Sequence, residues 1–529
     1  MKKFTLLLLT LLLSVSWVFA AGGSQRSTGA AAASAPLLTD DRSKTLDIIW
    51  WGPTRGDNLP LDGSIVQREL ERRYNIRITN VPIGQYNTTQ ANLFLASGYV
   101  FDVYIGMTAR WTGDLRHRVN TGTIRPIPLE YMTRFAPGMV SMLANESSNW
   151  ALLGSVDGVF YGPPLMGEPS LPLGLALRTD WLRNLGVTTL PTTLDELENL
   201  LARFRTDDPD RNGQRDTWAL GVSGNMANVA PYLFASYGVQ INRWAKDTDG
   251  SPKWYAIDDN YRQALLKMRE WWSREIYDPQ ILVNQTRDRF VDGLVGGFFG
   301  DDYSLVYNAG NNTSNWYYLA QSNPNLDPAT ISTLIPPVRG PNGAYTYVTD
   351  HYLKSWPTTF GRNTSDEKVV RVLSMLNDIL TQRDLYLLAN YGIQGQQWDF
   401  DSTGTPVLKP EWNNPEKQTE LGMARFLDYS FIPPDFLPLF FGASRMAAYN
   451  ATRVYPSLPL HFASLFTTEE DTEYSSGAQT IADEYFWKVV TGEWDINSTW
   501  NDYVSRWRNA GGQRIIDAKK RIAAQLGLN

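Results

Sequence analysis

The chain has 529 residues, a formal net charge of −7 and no cysteine. That length suits two or three domains around large cores. The mildly acidic balance without basic blocks argues against a nucleic-acid partner, and the lack of thiols excludes disulfides, thiolate ligands and cysteine nucleophiles.

Lys2 and Lys3, the apolar run Leu6–Leu13 and the Val18-Phe19-Ala20 cleavage pattern make residues 1–20 a secretory signal. The run is too short to span a bilayer, and no longer one follows. Residues 21–43 are a low-complexity leader. No cysteine follows the signal to carry a lipid, so the chain is expected to be periplasmic or extracellular without an anchor.

From about Lys44 the pattern reads strand Leu46–Trp51, helix 63–74, strand Ile76–Val81, helix 89–97 and strand Val100–Ile105. This β-α-β-α-β order predicts a mostly parallel sheet with ligands beyond the carboxyl ends of its strands. That rule singles out Trp50 and Trp51, and Arg110 and Trp111 after Gly106-Met107. Asp157-Gly158 is a hairpin-turn signal, and Tyr161 stands before the chain-breaking Gly162-Pro163-Pro164.

Leu175–Leu177 has strand character, and a brief helix from Arg178 stops at Gly186. Thr193 with Glu196 is a capping box for a helix whose Leu194, Leu197, Leu200, Leu201 and Phe204 share one face. It runs into a loop in which Asp208, Asp210, Asn212, Gln214 and Asp216 alternate as in an EF-hand, with Gly213 at the sharp turn. Ca²⁺ needs six to eight oxygens, and this turn supplies most of them; Ala219 stands where a bidentate Glu is expected. A structural Ca²⁺ is expected here, against the alternative of a metal-free Asx-turn loop.

Further on, helices are expected over 229–237 and 260–276, the latter with Tyr261, Leu265, Met268 and Trp272 inward. Gly293–Gly300 is rich in small residues that would let a strand end approach a ligand, followed by Asp302 and Tyr303 near the cleft. Residues 331–337 would return the chain to its first half. A helix over 365–380, the aromatic candidate Trp398 and a helical region over 500–526 complete the chain.

No catalytic residue is assigned. The three His are widely separated, and HExxH, GxSxG and P-loop patterns are missing. A glycosidase needs only two carboxylates roughly 5–10 Å apart. A secreted carbohydrate-active enzyme therefore stays as the alternative, with Asp301 and Asp302 as nearest suspects.

Several segments in order resemble the extracellular solute-binding proteins, family 1, of ABC importers, in the subgroup of LplA-like and alginate-oligosaccharide binders. They are Asp102-Val-Tyr-Ile-Gly106, Asp157-Gly-Val-Phe-Tyr-Gly-Pro163, Arg178-Thr-Asp-Trp-Leu182 to Gly186, Pro191-Thr-Thr-Leu-Asp-Glu196, the Asp208–Asp216 loop, and Tyr391-Gly-Ile-Gln-Gly395. The resemblance implies a two-lobe periplasmic-binding-protein fold (type II-like, α/β), each lobe a mostly parallel sheet flanked by helices, with a multi-segment hinge. The lobes would be 44–160 with 332–395, and 163–330 with 396–529. It also implies hinge closure on a solute, an importer permease as partner, and a monomer. Aromatics with Arg and Asp or Gln suit an oligosaccharide first, with a peptide or another polar solute left open, and too few basic residues are identified to support an acidic sugar. Chain positions after Asp216 depart from the subgroup, with Thr217 where Glu is usual.

Overall fold

The computed structural model describes residues 38–528 apart from 54–58, 85–86, 106–114, 167–172, 223–230, 242, 284–285, 303–314, 323, 326, 347–352, 355–356, 403, 428–431, 453, 457, 459–460 and 466. The expected signal therefore lies outside the described residues, as does most of the leader.

The first sheet starts in the expected order. β1 (Leu46–Trp51), α1 (Ile65–Tyr74), β2 (Ile76–Asn80), α2 (Thr88–Ala96) and β3 (Val103–Tyr104) follow one another, and β1 pairs in parallel with both β2 and β3. Ser64 caps α1 by accepting the Gln67 N–H at 3.3 Å, and Asn75 ends it in the left-handed region. Next come α3 (Leu115–Asn120), β4 (Ile124–Arg125), and a hairpin of β5 (Ser155–Val156) and β6 (Val159–Phe160). Asp157 and Gly158 turn that hairpin, both at positive φ as its tightness requires.

The second sheet is built from β7 (Leu173–Arg178), α4 (Thr179–Asn184), α5 (Leu194–Thr206), β8 (Trp218–Val222), α6 (Asp259–Ser273), β9 (Val295–Asp302) and β10 (Ser332–Leu334). The capping box of α5 forms as read: Thr193 Oγ1 accepts the Glu196 N–H at 3.3 Å, and Glu196 Oε2 accepts the Thr193 N–H at 3.2 Å. Its apolar face, Leu194 to Phe204, is buried. On α6 the buried residues include Tyr261, Leu265 and Met268, but Trp271 rather than Trp272. Trp271 lies three residues past Met268 on the buried face and donates its Nε1–H to Glu198 at 3.0 Å, so its ring packs in the core with its polar edge satisfied.

β11 (Thr359–Gly361) then inserts between β3 and β4, antiparallel to both. The sheets are accordingly mixed rather than mostly parallel; in the second, only β8 and β9 pair in parallel. The reason is that β11 enters from the other half of the chain and not through a right-handed helical crossover, which is what enforces parallel pairing. α7 (Asp366–Thr381) and α8 (Arg383–Tyr391) follow, then a hairpin of β12 (Trp398–Phe400) and β13 (Pro406–Leu408).

Two sets of pairings join segments far apart in the chain. Residues 332–346 stay with the second sheet: β10 pairs with β7, the Arg339 N–H reaches the Thr192 carbonyl at 2.8 Å, and Thr346 N–H reaches Val338 at 2.9 Å. Leu165–Met166 and Leu353–Lys354 pair antiparallel, with the Thr358 N–H on the Pro163 carbonyl at 2.9 Å. Residues 415–425 stay with the first sheet: Ala424 N–H donates to the Ala389 carbonyl at 2.9 Å, and Arg425 reaches Asn80, Gly52 and Pro53. Both pairings join segments distant in sequence, for which a local pattern carries no signal.

The chain closes with α9 (Glu469–Val490), α10 (Ile496–Trp507) and α11 (Gln513–Gln525). The expected continuous helical region is broken at Arg508–Gly512, where Gly511 has φ +108°. Phe486, Trp500 and Ile515 share one core with Leu175, Phe204 and Trp271 of the second sheet and its helices.

Gly296 was expected to admit a ligand; it serves packing. A Cβ there would overlap the rings of Phe204 and Trp181, which meet edge to face with centroids 5.3 Å apart. Gly296→Ala is expected to cost about 2 kcal/mol by overpacking, seen as a lower urea midpoint. An unchanged midpoint would contradict a close-packed contact between β9 and α4–α5.

Candidate functional site

The aromatic residues expected at the strand ends lie in the core. Trp50 and Trp51 are both 0% exposed. They point to opposite faces of β1, as a strand buried on both sides dictates. Trp51 stacks on Tyr104 at 4.3 Å and meets Phe94 edge-on at 4.8 Å, while Trp50 packs near Phe426 at 5.4 Å and donates to the Arg425 carbonyl at 3.1 Å. Trp398 is likewise buried, its Nε1–H on the Gly392 carbonyl at 3.0 Å. Tyr161 is largely buried in the outgoing crossover, and burial, reinforced by Asp157, raises its phenol. Asp302 ends β9 opposite Leu173. Arg110, Trp111 and Tyr303 lie outside the described residues. Arg178 is structural: it pairs with Asp180 at 3.0 Å and donates to the Phe290 carbonyl at 2.8 Å.

What the fold does bring together is a trench between the first half and the C-terminal helices. One cavity of about 410 Å³ has Leu115, Leu153 and Val156 on one wall, and Thr467, Ile522 and Leu526 on the other. A second, of about 1030 Å³, lies between α2–α3 and the first turns of α9, and Arg116 borders both. Sites for small organic ligands commonly span roughly 300–1,000 Å³.

The charges of this trench are unevenly committed. Arg116 grips the Asp157 carboxylate with both terminal nitrogens, at 3.1 and 2.9 Å, which holds the Asp157 carboxyl below its usual range. Arg118 is buried, donating to Thr359 Oγ1 at 3.0 Å with its guanidinium 5.1 Å over the Tyr104 ring. On the facing wall, Thr468 and Asp471 form the capping box of α9. Acidic residues are favoured there by the helix dipole. Glu470 pairs with Arg521 at 2.9 Å and Asp471 with the buried Lys519 at 2.8 Å. Glu469 and Glu473 pair with no described Lys or Arg, and both face the trench. Sequence reading missed these residues as a set, because Arg116 and Glu469 are remote in the chain.

The Asp208–Asp216 loop gathers three carboxylates and an amide in one exposed turn. Asp208 accepts the N–H groups of Asn212 and Gly213, both at 3.0 Å, and Asn212 Nδ2 donates to Asp210 at 2.8 Å and Asp216 at 3.2 Å. Burial, then the neighbouring Asp208 and Asp216, push the Asp210 carboxyl upward, a field that a cation would relieve. The donor chemistry therefore fits a hard cation. The carboxylates are spread around the Asn212 amide: among the described residues no three His, Cys, Asp or Glu side chains stand at metal-binding spacing. Arg205 fastens the loop's exit by donating to the carbonyls of Arg215 at 3.3 Å and Thr217 at 3.1 Å.

No protein-family model matches the chain. It is 23% identical over 524 residues, 97% of each chain, to the polygalacturonan/rhamnogalacturonan-binding protein YtcQ of Bacillus subtilis. Among solved structures it is similar to the ABC-transporter substrate-binding protein FusA of Streptococcus pneumoniae in complex with kestose. The TM-score is 0.62 at 17% identity, covering 92% of this chain and 99% of that one. It is also similar to an HMO-binding, ABC-transporter-associated solute-binding protein of Bifidobacterium longum infantis, with TM-score 0.66 at 15% identity over 90% and 98% of the two chains. FusA has also been solved as an EF-hand mutant. The structural likenesses establish the fold: α/β, two lobes, each a sheet flanked by helices. The matched relatives are binding proteins.

Proposed function

We propose, on the premise that this chain is a homologue of the extracellular solute-binding proteins of ABC importers, that it captures an oligosaccharide between its lobes and presents it to an importer permease. The observation that carries this is the trench, whose two walls come from halves joined by the paired crossing strands 165–166 and 353–354. In this reading the first lobe is 40–160 with 358–425, and the second is 173–346 with 461–525. Closure about the crossing strands narrows the trench around the solute. Arg116, Asn120 and the α9 carboxylates offer hydrogen bonds to sugar hydroxyls, and the apolar cavity beside them accepts C–H faces. The names of YtcQ, FusA and the Bifidobacterium protein support a sugar over a peptide. The protein acts as an exported monomer that binds and releases its ligand unchanged. Among the described residues, no helix is long and apolar enough to cross a membrane.

The test is thermal unfolding against a panel of oligosaccharides, with sugar integrity checked afterwards. A ligand that binds only the folded state raises the melting temperature; the expected result is such a rise with the sugar recovered intact. Recovery of shortened sugar would overturn the reading in favour of a hydrolase.

In the same reading the Asp208–Asp216 loop holds a structural Ca²⁺ through Asp208, Asp210, Asn212, the Gln214 carbonyl and Asp216. The existence of an EF-hand mutant of FusA supports this. The ion would neutralise three clustered carboxylates and brace α5 against β8. Ca²⁺ at about a hundred times its dissociation constant is expected to stabilise the fold by about 2.7 kcal/mol, and Asp208→Ala to abolish the response. A melting temperature of the unaltered chain that is the same in Ca²⁺ and in chelator would refute it.

A further inference from the structure

The trench has a charge asymmetry that bears on which sugars it accepts. Its described cationic groups are engaged. Arg116 is bidentate on Asp157 at 3.1 and 2.9 Å, and Arg118 is buried against Thr359 and Tyr104. Among the described residues, the charges there without an ionic partner are negative: Glu469 and Glu473, one helical turn apart on α9, face the trench, Glu473 meeting only the Tyr474 hydroxyl, while their neighbours Glu470 and Asp471 are taken up by Arg521 and Lys519. A carboxylate is a strong acceptor for a sugar hydroxyl, and a charge-assisted bond of this kind is about twice as strong as a neutral one. The same carboxylate repels an anion, and like charges brought together across an interface suppress the wrong partner. His117 and Asn120 on the opposite wall add hydrogen-bonding groups, and the adjoining cavity of Leu115, Leu153, Val156, Ile522 and Leu526 adds apolar surface.

From this we infer that the trench selects neutral oligosaccharides and discriminates against uronate-containing ones. Glu469 and Glu473 act as the discriminating residues: they bind hydroxyls and exclude carboxylates. The inference rests on the proposed binding function and narrows it. It runs against simple transfer from YtcQ, whose name carries an acidic polymer. The low identity of 23% leaves ample room for the two walls to differ.

The experiment is isothermal titration of the full exported chain with two sets of probes of matched length, about three to six units. One set is neutral fructo-, xylo-, gluco- and manno-oligosaccharides; the other is oligogalacturonides. The expected result is that at least one neutral sugar binds, that oligogalacturonides bind at least about tenfold more weakly, and that the neutral affinity is insensitive to added salt. The double variant Glu469→Gln, Glu473→Gln leaves the Glu470 and Asp471 pairs in place. It is expected to weaken the neutral ligand about tenfold and to strengthen oligogalacturonide binding, with a melting temperature matching the parent as the check on folding. Tighter binding of an oligogalacturonide than of every neutral probe overturns the inference and leaves the binding function standing. Unchanged affinities in a folded double variant overturn the role of the two glutamates. Failure of every sugar to bind the folded protein overturns the binding function, and the inference with it.

Discussion

Arg425→Ala is expected to lower stability by about 3–5 kcal/mol, a large share of what a folded domain possesses. The guanidinium is buried at the carboxyl ends of β1 and β2. Nε donates to Asn80 Oδ1 at 3.0 Å, and Nη1 donates to the carbonyls of Gly52 at 2.7 Å and Pro53 at 2.8 Å. Burial works against its charge and Asp62 favours it. Asn80 in turn donates to Asp62 at 2.8 Å, so the acid is linked to the arginine through one amide. Truncation leaves three buried acceptors without donors, and each orphan costs about 1–3 kcal/mol. It also removes the tie between residue 425 and the exit of β1, some 370 residues earlier. Arg425→Lys keeps the charge but reaches with one nitrogen where the fork reached with two, so it is expected to recover only part of the loss. Urea unfolding measures both. A loss below about 1 kcal/mol for the alanine variant would mean that water replaces the guanidinium, and would contradict a dry junction there.

Gly162→Ala carries the second large effect, about 3 kcal/mol with impaired ligand-induced closure. Gly162 lies against the backbone of Thr358: an added Cβ would overlap the Thr358 carbonyl oxygen, and Thr358 N–H bonds the Pro163 carbonyl at 2.9 Å. The obstacle is backbone, which has no rotamer to yield, so the two crossing segments must separate. Gly158→Ala is the control. Gly158 is four residues away, at φ +79° with nothing within 4 Å of an added Cβ. Only the conformational term remains there, about 1 kcal/mol. Equal losses at the two positions would show that close approach of the crossing strands plays no part.

These two residues also mark what was and was not legible in the sequence. Local chemistry read through well: the Thr193–Glu196 capping box, the apolar face of α5, the Asp157-Gly158 turn and the β-α-β start all appear where the pattern puts them. Each depends on residues within a few positions of one another. Trp50 and Trp51 lie in the core for a physical reason: a strand buried on both faces has no exposed side, so aromatics near its carboxyl end complete the core. Arg116, Glu469 and Glu473 were invisible as a site because only the tertiary fold brings α3 and α9 together. Ser332–Leu334, within the segment expected to return the chain to its first half, forms an edge strand of the second sheet, a pairing between distant segments that no local pattern signals.

Small-angle X-ray scattering of the chain from residue 21 onward, with and without a saturating oligosaccharide found by titration, tests the central claim most directly. Capture between two lobes predicts that the bound protein has a smaller radius of gyration than the free protein, with the sugar recovered unaltered. A ligand that binds at equal affinity in Gly162→Ala and leaves the radius of gyration of the parent unchanged would contradict closure, and would place the binding surface on a single lobe.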